Sequence, residues 1–98
     1  MLNKISEIQI VPIKPNNGLV GFASFVYDGC IFLGSIGIYT RPSGGYRLTY
    51  PTRKGNTEDF NIFYPINKEI ANVIEEVIIA KFEKVTNMYD RHDQISTR

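Results

Sequence analysis

The sequence is poor in the residues from which catalytic and metal centres are usually built. It holds one cysteine and one histidine, so neither an intramolecular disulfide nor a zinc site of ordinary His/Cys spacing can form within one chain. Cys30 sits in the apolar stretch CIFLGSIGI and reads as a small buried hydrophobe. His92 stands among polar residues near the C-terminus and reads as solvated. Ser43, in RPSGGY, is not in a G-x-S-x-G nucleophile elbow, since Arg41 stands where the first glycine would be, and the glycines beside it lack the Lys and Ser/Thr of a phosphate-binding loop. Glu58-Asp59 and Glu75-Glu76 are sequence neighbours, which seldom converge on one substrate atom, so they read as solvated faces. The expectation is a non-enzyme with no catalytic residue, no metal, no cofactor and no small-molecule substrate.

Long apolar runs are missing too. Nothing approaches the roughly 20 residues needed to cross a bilayer, and polar residues interrupt the opening MLNKISEIQI, unlike a secretory signal. A cytoplasmic protein without a membrane partner is expected. At 98 residues the chain suits one domain, and 43% hydrophobic against 21% charged residues argues against general disorder. So small a domain buries a modest share of its surface, and dimerisation would help.

Acid is absent from a long central stretch. Between Asp28 and Glu58 there is no Asp or Glu, whereas Arg41, Arg47, Arg53 and Lys54 all fall there. The other seven Lys and Arg face all ten acids, so the remainder is net −3. The basic character is local.

What is present reads as strands followed by a helix. Ile8 and Ile10 alternate in ISEIQIVPIK, and Pro12 suggests an edge strand or a strand end. Asn16-Asn17-Gly18 is hairpin-turn chemistry. LVGFASFVY follows, with Ala23, Phe25 and Tyr27 on one face and Phe22, Ser24 and Val26 on the other, both apolar enough to be covered. Asp28-Gly29 leads into a third strand around Ile31 to Thr40, in which Gly34 and Gly37 suggest a bulge or a close backbone approach. Arg41-Pro42-Ser43-Gly44-Gly45 is a turn. YRLTY is a fourth strand that Pro51 ends, TRKGNTED an exposed connection, and FNIFY a short fifth strand stopped by Pro65.

Arg53 and Lys54 are thus expected at a loop tip or strand end. Asn67 is a candidate N-cap for a helix from Lys68, with Glu69 in its first turn. Ile70, Val73, Ile74, Val77, Ile78, Phe82 and Val85 form its apolar stripe, worth at most about 10–20 kcal/mol if fully buried. From Asn87 the chain turns polar, which gives one domain over 1–88 and a frayed or disordered tail over 89–98. The fold class is α+β: an antiparallel sheet of four to five strands, then one amphipathic helix.

Three stretches, in this order, carry a family resemblance. ASFVYDGCIFLGSIGIY supplies Ala23, Ser24, Asp28, Cys30, Ile36 and Ile38, GGYRLTYPTRK supplies Gly45, Pro51, Thr52, Arg53 and Lys54, and FYPIN spans 63–67. From about Gly21 to Val85 the sequence resembles the stage V sporulation protein G (SpoVG) family of bacterial septation and regulatory proteins. The resemblance implies a dimeric antiparallel-sheet protein with a C-terminal helix that regulates septation, sporulation or gene expression and binds DNA or RNA. It also implies that Arg53 and Lys54 match the family's basic pair, which a dimer axis would double to four cations facing a phosphate backbone. Arg47 and Arg41 are further candidates, each equally readable as a cross-strand ion-pair partner.

The sequence departs from the family in places. Its first strand carries Glu7 and Gln9 where relatives are basic, GNTED follows the basic pair, and the helix carries net charge −1 over Lys68 to Lys84. The alternative is a protein-interaction module in septation, binding through a sheet edge and Tyr39, Tyr46, Tyr50, Phe63 and Tyr64. The nucleic-acid reading requires the side chains of Arg53 and Lys54 to be free of neighbouring carboxylates and to share one side of the molecule.

Overall fold

The turn at Asn17-Gly18 shows how local chemistry sets the architecture. Both residues take positive φ, 54° and 92°, the conformation that joins two strands without opposing their twist. Asn16 therefore pairs with Leu19, and β1 (Ile5–Asn16) returns as β2 (Leu19–Tyr27). Asp28 and Gly29, also at positive φ, turn the chain into β3 (Ile31–Thr40). The Arg41–Gly45 turn then leads into β4 (Tyr46–Thr49), closed by Arg41 N–H donating to the Gly45 carbonyl at 3.0 Å. The computed structural model describes residues 4–96, with side chains through residue 87. Its main sheet is antiparallel in the order β1-β2-β3-β4.

Bulges rephase the apolar pattern. On β1 one extra residue lies between Ser6 and Gln9, with Glu7 at φ 51°. This lets Ile5, Ile8 and Ile10 all turn toward the core, although their spacing is not a strict alternation. On β3 an extra residue falls at Gly34-Ser35, with Ser35 at φ 59°. Leu33, Ile36 and Ile38 consequently share the core side. The bulge expected from Gly34 is present. Pro12 lies within β1, an edge strand of the sheet, which continues past it to Asn16.

One helix, α1 (Lys68–Ser96), covers one face of the sheet. Its start follows from Asn67, whose side-chain oxygen accepts the Ile70 N–H at 3.0 Å, a cap worth about 1 kcal/mol. Ile74, Ile78 and Phe82 are buried against Ala23, Phe25, Ile36 and Ile38. Ile70, Val73 and Val77 are only partly buried there, so the stripe contributes toward the lower end of its range. Tyr46 meets Phe82 edge to face at 5.1 Å. The backbone stays helical beyond Asn87, through the polar stretch read as a tail, because no Gly or Pro interrupts it. The His92 side chain and residues 97–98 lie outside the described residues.

Among the described residues, nothing covers the opposite face of the sheet. Both faces of β2 are apolar, but Phe22 is 40% exposed, as are Val11 (59%) and Phe32 (68%) on the flanking strands. Cys30 is exposed in the β2–β3 turn, so its reading as a buried hydrophobe is corrected. The turn places it outside the apolar strand that follows it.

Candidate nucleic-acid interface

The sequence from Thr52 to Asn61 forms a small ribbon outside the main sheet. Pro51, which lacks an N–H, ends β4. β5 (Thr52–Lys54) then pairs antiparallel with β6 (Asp59–Asn61). The Gly55 N–H donates to the Glu58 carbonyl at 3.0 Å, closing the tip, and the Ile62 N–H donates to the Pro51 carbonyl at 2.9 Å, closing the base. A Cβ at position 55 would overlap both the Glu58 carbonyl and the Phe60 ring, so the tip needs glycine.

TRKGNTED is exposed, as expected, but it includes strand residues on both sides of a turn, and one expectation is corrected: the strand after it ends at Asn61, before Phe63 and Tyr64. The physical reason is hairpin closure. Three-residue strands rich in Asp, Asn and Lys have little strand preference of their own, but a tight turn holds them in register.

Arg53 and Lys54 therefore lie in a paired strand, both exposed. Among the described residues neither has a carboxylate oxygen within 4.0 Å, so the first requirement of the nucleic-acid reading is met. The second is not met, and the idea of one patch built from both cations is corrected. Successive strand residues point to opposite faces, so the two cations flank the ribbon. Arg53 stands opposite Phe60 and Lys54 opposite Asp59. Lys54 thus shares its face with a carboxylate, while the partner directly across from Arg53 is an apolar ring.

The other two candidates are engaged elsewhere. Arg41 Nε donates to the Tyr46 carbonyl at 3.0 Å, and its Nη2 lies 4.0 Å from Glu75 Oε2 on α1. The first contact braces the β3–β4 turn, and the second is a loose, solvent-exposed ion pair to the helix. Arg47, directly across from Tyr39, lies over that ring at 4.8 Å from its centroid. Neither joins the ribbon.

Of the aromatic residues, Tyr46, Tyr50 and Phe63 pack against the core, and Tyr50 meets Phe63 edge to face at 5.9 Å. Phe60, 58% exposed, and Tyr64, 54% exposed, remain available. Phe60 is a candidate that sequence reasoning missed. Only the pairing register places it across from Arg53.

Tyr50 is half-buried against the core and Phe63. Burial, then the Glu75 carboxylate, push its hydroxyl up to about 12. The folded state thus favours the neutral phenol: the associated stability is fully present below about pH 10, the ordinary tyrosine value, and is lost as pH rises through about 12. Tyr50→Phe is expected to flatten this part of the alkaline stability loss, measured by urea unfolding of both proteins at about pH 9 and about pH 11. An identical loss in both would place Tyr50 in water.

The remaining chemistry is sparse. Among the described residues there is no cluster of three or more His, Cys, Asp or Glu able to hold a metal ion, and no helix long and apolar enough to cross a membrane.

Comparison with known proteins gives a consistent lineage. The SpoVG family model matches residues 3–84. A protein of Phytoplasma australiense named for septation, SpoVG, is 33% identical over 85 residues, covering 86% of this chain and 88% of that protein. A protein of the same name from Treponema denticola is 26% identical over 93 residues, covering 94% and 99%. With the four-stranded sheet, its single C-terminal helix and a family match over most of its length, the chain belongs to the SpoVG family.

Proposed function

We propose that this chain is a non-enzymatic cytoplasmic regulator of septation, sporulation or gene expression that binds DNA or RNA through the β5–β6 ribbon. The names of its relatives supply the septation context. The observation that carries the binding reading is Arg53: it is exposed, stands across from Phe60, and has no carboxylate within 4.0 Å among the described residues. Lys54 lies on the other face of the ribbon, opposite Asp59, so the reading rests on Arg53 and not on a paired cationic patch. Binding is recognition, with no covalent step, and phosphate contacts release counterions. The test is titration of labelled single- and double-stranded DNA and RNA at two ionic strengths. Affinity is expected to fall steeply with salt, and absence of binding at low salt would defeat the reading.

A second reading, a protein-interaction module in septation, is favoured by the uncovered sheet face around Val11, Phe22 and Phe32. Exposed apolar patches on small domains commonly mark contacts with other proteins. The same face serves the first reading instead if it joins two copies of this chain, an arrangement that doubles the ribbon. Wild-type protein is expected to sediment as a dimer and Phe32→Glu as a folded monomer. A wild-type monomer at micromolar concentration would remove the dimer, and a dimer indifferent to DNA and RNA would favour the second reading.

A further inference from the structure

The two faces of the ribbon are chemically unequal. On one, Lys54 stands across from Asp59, a pairing that offsets its charge toward an anion. On the other, Arg53 stands across from Phe60, whose ring lies against Gly55 and is 58% exposed. A phenyl group there adds little to folding, because a two-stranded ribbon has no core beneath it. Gly55, which has no side chain, leaves the ring room to lie against the ribbon's own backbone. A solvent-facing aromatic ring directly across from an arginine that forms no ion pair among the described residues combines what a single nucleic-acid strand needs: a platform for a base and a cation for the adjoining phosphate. A duplex, whose bases are already stacked, offers the ring nothing.

Resting on the reading of the ribbon as a nucleic-acid interface, we propose that its Arg53–Phe60 face binds single-stranded nucleic acid, with Phe60 stacking on a base and Arg53 holding a neighbouring phosphate. The base face is common to DNA and RNA, so the stacking contribution is the same for both. Insertion of the ribbon into a duplex groove is the competing geometry, in which Phe60 is dispensable.

The experiment is fluorescence anisotropy with labelled oligothymidylate, oligouridylate and a duplex of equal length, using wild-type, Phe60→Ala, Phe60→Leu and Phe60→Trp proteins. Phe60→Ala and Phe60→Leu are expected to weaken both single strands by roughly 5- to 150-fold, the range for one stacked base, while leaving the duplex and the salt slope unchanged. Phe60→Trp is expected to retain single-strand affinity. The chain has no tryptophan of its own, so quenching of that variant's indole on adding oligothymidylate would report stacking directly. Equal weakening of single strand and duplex, unaltered single-strand binding by Phe60→Ala, or full retention by Phe60→Leu would each overturn the proposal. If wild-type binds duplex with a steep salt slope and Phe60→Ala changes nothing, the phosphate-binding reading stands and this one falls. If wild-type binds none of the three, both fall.

Discussion

Phe25→Ala is expected to lower the unfolding free energy by about 3–5 kcal/mol, the usual cost of truncating a buried phenylalanine. Phe25 is fully buried in β2, on the face that α1 covers. Leu33 is its partner on β3, and Ile74 belongs to the same core. Truncation removes the ring's apolar transfer energy and leaves a gap that β2, held by strands on both sides, cannot collapse to fill. A small domain has only about 5–15 kcal/mol in total, so the variant should be largely or wholly unfolded at moderate urea. Phe32→Ala is the internal control: the same residue type, on the next strand, 68% exposed on the opposite face. Its effect should stay within about 1 kcal/mol, measured on dilute protein so that self-association does not contribute. Comparable destabilisation at both positions would mean that the helix is not the sole cover of the sheet.

That contrast marks where sequence reasoning stops. The local devices were legible because their chemistry acts over three or four residues: the positive φ available to Asn17-Gly18 and Asp28-Gly29, the cap at Asn67, and the stripe through Ile74, Ile78 and Phe82. Which apolar face of β2 lies inward was not legible, since Ala23 and Phe25 compete with Phe22 and Val26, and only the helix decides between them. The bulge at Gly34-Ser35 had a glycine to announce it; the one at Glu7 had no such signal. Arg41 finds Glu75 across 34 positions of sequence, a pairing no local pattern encodes.

The ribbon is the most instructive case. A basic pair was visible, but strand pairing separates its members to opposite faces and gives each a different neighbour. The same register that weakens the idea of a single cationic patch introduces Phe60 into the site.

The asymmetry sets the last expectation. If phosphates are held by the ribbon, Arg53→Ala should lower both affinity and salt dependence more than Lys54→Ala, because Asp59 already opposes Lys54. Removing one cation from a phosphate should reduce the slope of log affinity against log salt by about 0.9 on duplex DNA or about 0.7 on a single strand. At about 50 mM salt one such cation is worth roughly tenfold, so Arg53→Ala with Lys54→Ala should cost between roughly tenfold and a hundredfold per protomer, most of it from Arg53, and roughly 10²- to 10⁴-fold in a dimer that uses both ribbons. Both side chains are exposed, and among the described residues neither forms an ion pair. The fold should therefore tolerate the change, and circular dichroism with urea unfolding would verify that it does. An unchanged slope in the double variant would take the ribbon out of the interface whatever the affinity did. A slope change carried wholly by Lys54 would reverse the assignment of the two faces, because the carboxylate opposite it would then have to be displaced by the incoming phosphate.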